Sequence, residues 1–390
     1  MISTDQKILE SGSEAQKRMR DYGMIFEELY IIVFSTRKSQ IPNPKSQINS
    51  KIQIANNVFV YPTNSRFELF YLWQAYQIGQ KIIHNSKFQI HNSAITCQDP
   101  FETGFVGWLM KKRFDLPLQL QVHTDVFSPY FKNESLLNRL RVLLAKFLLP
   151  RADGIRVVSQ RIKDSLESNV KGPWPDRQMS NVLILPIFVD VKKIQSAKVK
   201  IDLHQKYPEY DFIILMASRL TKEKNISMAI KAFGSAKRQA PSAENPLLLI
   251  VGDGPKKQNL MLQASSFKLQ ENVKFEPWTN DLGSYYKTAD LCLLTSNYEG
   301  YGRTVVEAMA AGLPVVMTEV GLAGELLIDD LDGKVVPVGD EKALAAAILE
   351  LKENPAKREE YKLNSLKLLE KWPSKQEYLD KYRNLLMVLK

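Results

Sequence analysis

An α/β chain of two doubly wound domains with parallel sheets is predicted by three observations. Short β-branched or apolar runs alternate with longer helical patterns along the whole sequence, which is the pattern of βαβ units. The runs fall into two sets of about six, enough for one doubly wound sheet each. At 390 residues the chain exceeds what one hydrophobic core commonly serves, so two domains are expected.

The first set of strand runs comprises Leu29–Phe34, Val58–Tyr61, Ala94–Cys97, Leu118–Val122, Ile155–Val158 and Val182–Leu185. The second comprises Phe212–Ala217, Leu247–Val251, Val273–Phe275, Leu291–Thr295, Pro314–Met317 and Lys334–Val336. The join is expected at Pro186-Ile187-Phe188-Val189-Asp190, which closes the first set and leads into a polar, Lys-rich stretch. That places one domain at 1–190 and the other at 191–372. Gly172-Pro173-Trp174-Pro175-Asp176 reads as a rigid surface loop. After Trp372-Pro373, the segment Ser374–Leu389 carries Tyr378, Leu379, Tyr382, Leu385 and Leu386 on one helical face. A last helix over 373–390 is expected to cross back to the first domain.

Composition narrows the class. Hydrophobic residues make up 44% and charged residues 25%, the balance of an ordinary globular protein. No apolar run approaches the roughly 20 residues that span a bilayer. Met1-Ile2-Ser3-Thr4-Asp5 shows no basic region followed by an apolar stretch, so no signal peptide is expected. Cys97 and Cys292 sit in separate apolar runs and read as buried, reduced thiols, which fits a cytoplasmic location. Four histidines without a Cys/His cluster give no zinc pattern, and no metal is expected. The net charge is +10, and residues 1–190 hold 24 Lys and Arg against 17 Asp and Glu, or +7 of it. Such a bias attracts anionic lipid, nucleic acid or phosphorylated substrates, or is only a solvated surface.

Three loops carry the chemistry. Glu299-Gly300-Tyr301-Gly302-Arg303-Thr304-Val305-Val306-Glu307 follows one strand run and opens a helix. In an open α/β sheet such a loop lies at the carboxyl end of a strand, where ligands bind. Its glycines expose backbone N–H groups at a helix N-terminus, a site suited to phosphate. Carboxylates on both sides of a phosphate cradle suit a ligand with hydroxyls at both ends, as a nucleotide sugar has. Ser218-Arg219-Leu220-Thr221-Lys222-Glu223-Lys224-Asn225 follows the first strand of the second set. Arg219 can fork onto phosphate oxygens and Lys224 adds a point charge. The third loop, Gly252-Asp253-Gly254-Pro255, again ends a strand. Taken singly, the basic loop reads as solvated and the Gly252–Pro255 stretch as a turn. Lying on one edge of one sheet, the three gain a joint meaning.

The strings SRLxKEKN, VGDGP and EGYGxxxxEAMAxGLPVV resemble, in this order and spacing, the C-terminal domain of the family-4 retaining glycosyltransferases. The first half is similar to that family at Gln98–Gly104 and at Gln121-Val122-His123-Thr124-Asp125. The resemblance implies the GT-B fold, with two Rossmann-like domains facing each other across a cleft. It implies that Arg219 and Lys224 bind the donor diphosphate, that Glu307 holds ribose hydroxyls and that Glu299 contacts the donor sugar. Gly300, Tyr301 and Gly302 would supply backbone contacts to the donor, and Gly252 and Gly254 would also belong to the donor site. His123 would lie near the transferred sugar. Other readings stand beside these: a solvated helical Glu307, a capping Glu299, a core His123, and Asp125 as a helix cap. Departures from the family pattern exist as well. Only Met1 to Thr4 precede the first polar stretch, so the first strand is very short or incomplete, with Ser11-Gly12-Ser13 in place of a fuller glycine loop.

The resemblance implies transfer of a hexose from a UDP- or GDP-linked donor with retention at the anomeric carbon. No pair of carboxylates with the spacing of a retaining double displacement is legible. A metal-independent, front-face route is therefore expected, with Arg219 and Lys224 offsetting the charge of the leaving diphosphate. No cofactor is expected beyond the donor itself. The acceptor would be a glycan or a lipid-linked saccharide of envelope polysaccharide synthesis. Phe127-Ser128-Pro129-Tyr130-Phe131-Lys132 is aromatic and basic, and Tyr130, Phe131 and Asp125 are its acceptor-side candidates. The helical pattern beyond it places Leu136, Leu137, Leu140, Leu143, Leu144, Phe147 and Leu148 on one face beside Arg139, Arg141 and Lys146. That face is expected to pack on the core, with a helix at the inner face of an anionic membrane as the second reading. Nucleic acid is not an expected partner. Rival functions are a sugar-nucleotide epimerase or phosphorylase on a similar fold, and a non-catalytic basic binding protein.

Overall fold

The computed structural model describes residues 1–36, 51–85, 92–170, 181–239 and 245–389. The Gly172–Asp176 segment lies outside them. The chain separates into two units, Met1–Pro186 with Lys375–Lys390, and Ile187–Ser374.

The first unit is built on strands β1 (Ile2–Ser3), β2 (Leu29–Val33), β3 (Ile52–Ala55), β4 (Val58–Pro62), β5 (Ile95–Cys97), β6 (Leu118–Val122), β7 (Gly154–Val157) and β8 (Val182–Ile184). They form one sheet in the order β3-β4-β2-β1-β5-β6-β7-β8. Strand β1 has two residues yet pairs in parallel with both β2 and β5 at the centre. It is short because Asp5 accepts from Lys7 N and caps a 3-10 turn at once. Gly12 then turns at φ +79°, and Ser13 caps the helix Glu14–Gly23. One strand outside the expected runs, β3, pairs antiparallel with β4 at the edge of an otherwise parallel sheet. Asn56 and Asn57 join the two in a hairpin too tight for a crossover helix.

A second departure concerns the helix Leu136–Leu148. Its core face is Asn138, Val142, Ala145 and Leu148. Most of the leucine stripe expected to pack inward faces solvent instead, with Leu136, Leu140 and Leu143 between 63% and 75% exposed, while Leu148 of the same stripe is buried. Both faces are apolar enough to bury, and the smaller side chains fit against the helix Glu102–Phe114 and its neighbours.

The helix Lys375–Met387 packs within the first unit through Tyr378, Leu379 and Tyr382. Tyr382 Oη accepts from Gln121 Nε2 at 3.0 Å, and Tyr378 Oη accepts from Arg156 Nη2 at 2.8 Å. Lys375 pairs with Asp21 at 2.6 Å.

The second unit holds β9 (Phe212–Ala217), β10 (Pro246–Val251), β11 (Val273–Glu276), β12 (Leu291–Leu294), β13 (Val315–Thr318) and β14 (Lys334–Val336). All pair in parallel in the order β11-β10-β9-β12-β13-β14. Strands β9 and β10 are buried along their whole length, as expected of strands covered on both faces. The order reverses between β9 and β12, and such a switch point opens a crevice at the carboxyl ends of the two strands. Cys97 and Cys292 are free and buried, as their apolar runs implied. Among the described residues no helix is long and apolar enough to cross a membrane.

Candidate functional site

The loops after β9 and β12 flank the switch point, and both carry predicted site residues. After β9 the chain makes a 3-10 turn at Lys222–Lys224, and Asn225 ends it in the left-handed region at φ +45°. Thr295, just past β12, fastens this turn by donating to the carbonyls of Lys224 at 2.9 Å and Asn225 at 3.2 Å. Asn225 Nδ2 donates to Asn297 Oδ1 at 3.0 Å, and Asn297 N donates to Glu223 O at 2.8 Å. The two loops are thus stitched along their backbones.

Across that seam Lys224 Nζ forms an ion pair with Glu299 Oε1, the side chains being 17% and 14% exposed. Ser296 Oγ donates to the same carboxylate oxygen at 2.9 Å. Two residues 75 positions apart are therefore one unit of the site. Arg219 stands apart from them. Its side chain is 75% exposed and pairs with Glu223 at 3.1 Å, while Thr221 Oγ1 also donates to Glu223 at 2.6 Å.

Gly252 and Gly254 work by what they lack. Gly252 has φ +147°, and a Cβ there would lie 1.9 Å from Ser218 O. A Cβ on Gly254 would lie 2.6 Å from Leu220 O. Leu220 N donates to Asp253 O at 3.0 Å and Lys256 N to Leu220 O at 3.0 Å. The glycines let the loop after β10 clamp the Arg219 loop backbone to backbone.

Gly302 has φ +89° and caps the helix Arg303–Ala310 without a side chain. Its amide end therefore stays open to an anionic group. Tyr301 is buried, and burial pushes its phenol well above the ordinary range, with the Glu325 charge adding to the shift. Its carbonyl accepts from Leu322 N at 3.1 Å, close to Gly321. Gly300 lies between Glu299 and this buried residue.

Glu307 is no solvated helical carboxylate. Its side chain is 12% exposed; Oε1 accepts from Arg303 Nε at 2.7 Å, and Oε2 from Tyr286 Oη at 3.1 Å. Sequence reasoning missed Tyr286 and Arg303, although Arg303 and Glu307 stand at helical i,i+4 spacing. It also missed Ser296 and Glu223.

In the first unit His123 follows β6. Its Nε2 lies 3.0 Å from Gln121 Oε1. Arg156 Nη1, which can only donate, reaches the same Oε1 at 3.1 Å, and this fixes which end of the Gln121 amide is oxygen. His123 therefore carries its proton on Nε2 and keeps Nδ1 as acceptor. Burial, helped by the Arg156 and Arg18 charges, pushes its pKa down to about 3, so the ring is neutral at physiological pH. Gln121 lay in a matching string without a role of its own, and Arg156 did not stand out in the sequence.

The acceptor-side candidates separate. Asp125 Oδ1 accepts from Phe127 N at 3.3 Å and Ser165 Oγ at 2.7 Å, the work of a loop-fixing carboxylate. Phe131 is buried and stacks on Phe101 at 5.8 Å between ring centroids, so it is a core residue and is not presented to a ligand. Tyr130 is exposed. Among the described residues no group of three His, Cys, Asp or Glu side chains is placed to hold a metal ion.

Residues 200–367 match the family described as glycosyl transferases group 1. The chain is similar to the poly(glycerol-phosphate) alpha-glucosyltransferase of Bacillus subtilis (strain 168), 28% identical over 176 residues, 45% of this chain and 26% of that protein. It is also similar to the alpha-monoglucosyldiacylglycerol synthase of Streptococcus pneumoniae (strain ATCC BAA-255 / R6), 26% identical over 288 residues, 71% of this chain and 62% of that protein. The chain thus spans less than two thirds of either relative's length. Among solved structures, Anabaena Alr3699/HepE in complex with UDP and glucose aligns with a TM-score of 0.74 at 20% identity, over 99% of both chains. Sucrose-phosphate synthase from Thermosynechococcus elongatus aligns with a TM-score of 0.75 at 20% identity, over 97% of this chain and 94% of that one. Residues 200–367 thus carry a match to the glycosyl transferases group 1 family, and the chain as a whole has the two Rossmann-like domains of the GT-B fold.

Proposed function

We propose that the protein is a retaining glycosyltransferase that moves a hexose from a UDP- or GDP-linked donor to an acceptor hydroxyl. The observation that carries this reading is the Lys224–Glu299 pair beside the open helix end at Gly302, at the switch point between β9 and β12. The donor diphosphate would lie between Lys224, Arg219 and the amides that open the helix Arg303–Ala310. Glu299 would orient the sugar, and Glu307, held by Tyr286 and Arg303, would take the ribose hydroxyls. His123, in the first unit, is neutral with Nδ1 as acceptor, which suits it to take a hydrogen bond from a hydroxyl group.

The chemistry we propose is a front-face displacement. The acceptor oxygen bonds to the anomeric carbon on the side from which the diphosphate departs. The bond from that carbon to the phosphate oxygen breaks, and this oxygen takes the acceptor's proton. Arg219 and Lys224 stabilise the charge that accumulates on the diphosphate, so the residues at hand supply the electrostatics without an added divalent cation. The names of the two relatives support a poly(glycerol-phosphate) or diacylglycerol class of acceptor.

A thermal-shift panel of UDP-, GDP- and ADP-sugars, run with and without EDTA, tests the donor assignment. A ligand at 100 times its Kd stabilises the native state by about 2.7 kcal/mol. One nucleotide class should raise the melting temperature, equally in EDTA. No shift with any of the three would overturn the reading.

A further inference from the structure

The helix Leu136–Leu148 presents an apolar ridge outward, and its surroundings say what covers it. At 3.6 residues per turn, Leu136, Leu140, Leu143 and Phe147 fall within about 60° of one another. Leu136, Leu140 and Leu143 are 75%, 63% and 64% exposed, and Phe147 is 37% exposed. Leu137, 52% exposed, extends the ridge on one side. The opposite face, Asn138 to Leu148, is buried, so this is a helix with an apolar surface on both sides. Helices of a water-facing surface normally turn their charged side outward.

The charges take the flanks. Arg139 and Lys146 lie along one border of the ridge, and Arg141, held by Glu102 at 2.8 Å, lies on the other. Arg151 sits over the Phe147 ring at 3.8 Å. Between residues 129 and 151 there are five Lys and Arg and a single acid, Glu134. Tyr130, on the preceding helix Pro129–Glu134, adds an exposed amphipathic ring, with Lys132 two residues on.

We propose that this ridge is a membrane-docking surface that lies in the headgroup layer of an anionic bilayer. An apolar stripe bordered by cations on both sides, with aromatic rings at its edges, matches the interface of a bilayer containing acidic lipid. The leucines enter the acyl boundary, and Arg139, Lys146 and Lys132 meet lipid phosphates. A second copy of the chain is the poorer occupant. A symmetric contact would bring the cationic flanks against each other, and one helix ridge falls short of the roughly 20–30 residues a side that stable interfaces use. The surface belongs to the first unit and stands independently of the donor reading.

Flotation of the full chain with vesicles of 70% phosphatidylcholine and 30% phosphatidylglycerol tests it, with no sugar nucleotide present. The wild type should float with these vesicles at low salt and at least tenfold less with pure phosphatidylcholine. Leu140→Glu with Leu143→Glu alters two exposed side chains and should abolish flotation with the thermal-shift response to donor kept. Arg139→Gln and Lys146→Gln should each weaken partitioning about fivefold, the weight of one surface cation. A wild type that stays unbound overturns the proposal. So does a double leucine variant that still floats, or a wild-type dimer in light scattering that the double variant dissolves.

Discussion

Replacing Gly254 by alanine tests the clamp on the Arg219 loop. The new methyl carbon would lie 2.6 Å from Leu220 O, 2.8 Å from Leu220 C and 2.8 Å from Leu220 N. These are backbone atoms, so no rotamer change relieves the contact. Ordinary contact begins at 3.4 Å, so the two loops must part by about 0.8 Å. Hydrogen bonds on both sides of Leu220 resist that movement. Overpacking of this kind destabilises by about 1–3 kcal/mol. The displacement passes to Arg219 and on to Lys224, within five residues of the contact. A misplacement near 1 Å lowers a positioned reaction about 10²-fold. Turnover, read as release of nucleoside diphosphate from the donor that the thermal-shift panel selects, should therefore fall between about 10- and 100-fold. Gly283→Ala is the control: its Cβ would lie 3.6 Å from Ala197 Cβ, an ordinary contact within the helix Leu282–Thr288. That variant should keep full activity. A folded Gly254→Ala protein within threefold of wild-type turnover would refute the clamp.

Two more outcomes follow from the same geometry. Lys224→Met and Glu299→Gln each strand a mostly buried partner and should cost about 1–3 kcal/mol of stability, with a coupling of about 0.5–3 kcal/mol in the double-mutant cycle. Turnover of Lys224→Met should fall by about 10²–10³-fold, and an additive cycle would show that the pair does not act as one unit. His123 has a folded pKa of about 3 against about 6.5 unfolded, so the unfolded chain binds its proton first as pH falls. Its contribution is complete above pH 6.5 and is lost towards pH 3, with a slope of at most about 1.4 kcal/mol per pH unit. Denaturation of His123→Gln against wild type should converge on going down through that window. Buried Asp99, raised to about 6, acts in the opposite sense and cancels in the difference. A constant difference from pH 7 to pH 4 would rule out a neutral buried ring.

The strands were legible wherever burial on both faces leaves an apolar run, and Phe212–Ala217 and Leu118–Val122 match to the residue. Strand β1 has too few residues for any period, and only its neighbours define it. Strand β3 is a partly exposed edge whose signal was the Asn56-Asn57 turn rather than its own residues. The stripe on Leu136–Leu148 was readable, but its direction was not. Periodicity ranks faces by hydrophobicity, whereas packing selected the face of smaller side chains. In the site, glycines and charges at strand ends were visible because each loop is local. What joins them depends on sheet order: β9 and β12 become neighbours only through the reversal that carries β10 and β11 to the other side.

That reversal also divides the labour of the charged groups. Lys224 is fixed, enclosed and already facing Glu299, so it can hold a diphosphate without first losing side-chain freedom. Arg219 is exposed and tethered by one contact to Glu223, which suits a cation that swings onto phosphate when the donor arrives. Glu299 has one oxygen engaged by both Lys224 and Ser296. The ammonium of Lys224 offsets the negative charge of this carboxylate and so lowers its nucleophilicity. Glu307 has both oxygens taken, by Arg303 and Tyr286. Carboxylates fixed by such contacts are suited to orienting hydroxyl groups. Under the function proposed above, that arrangement would be compatible with departure and attack on the same face, with the diphosphate itself as the base.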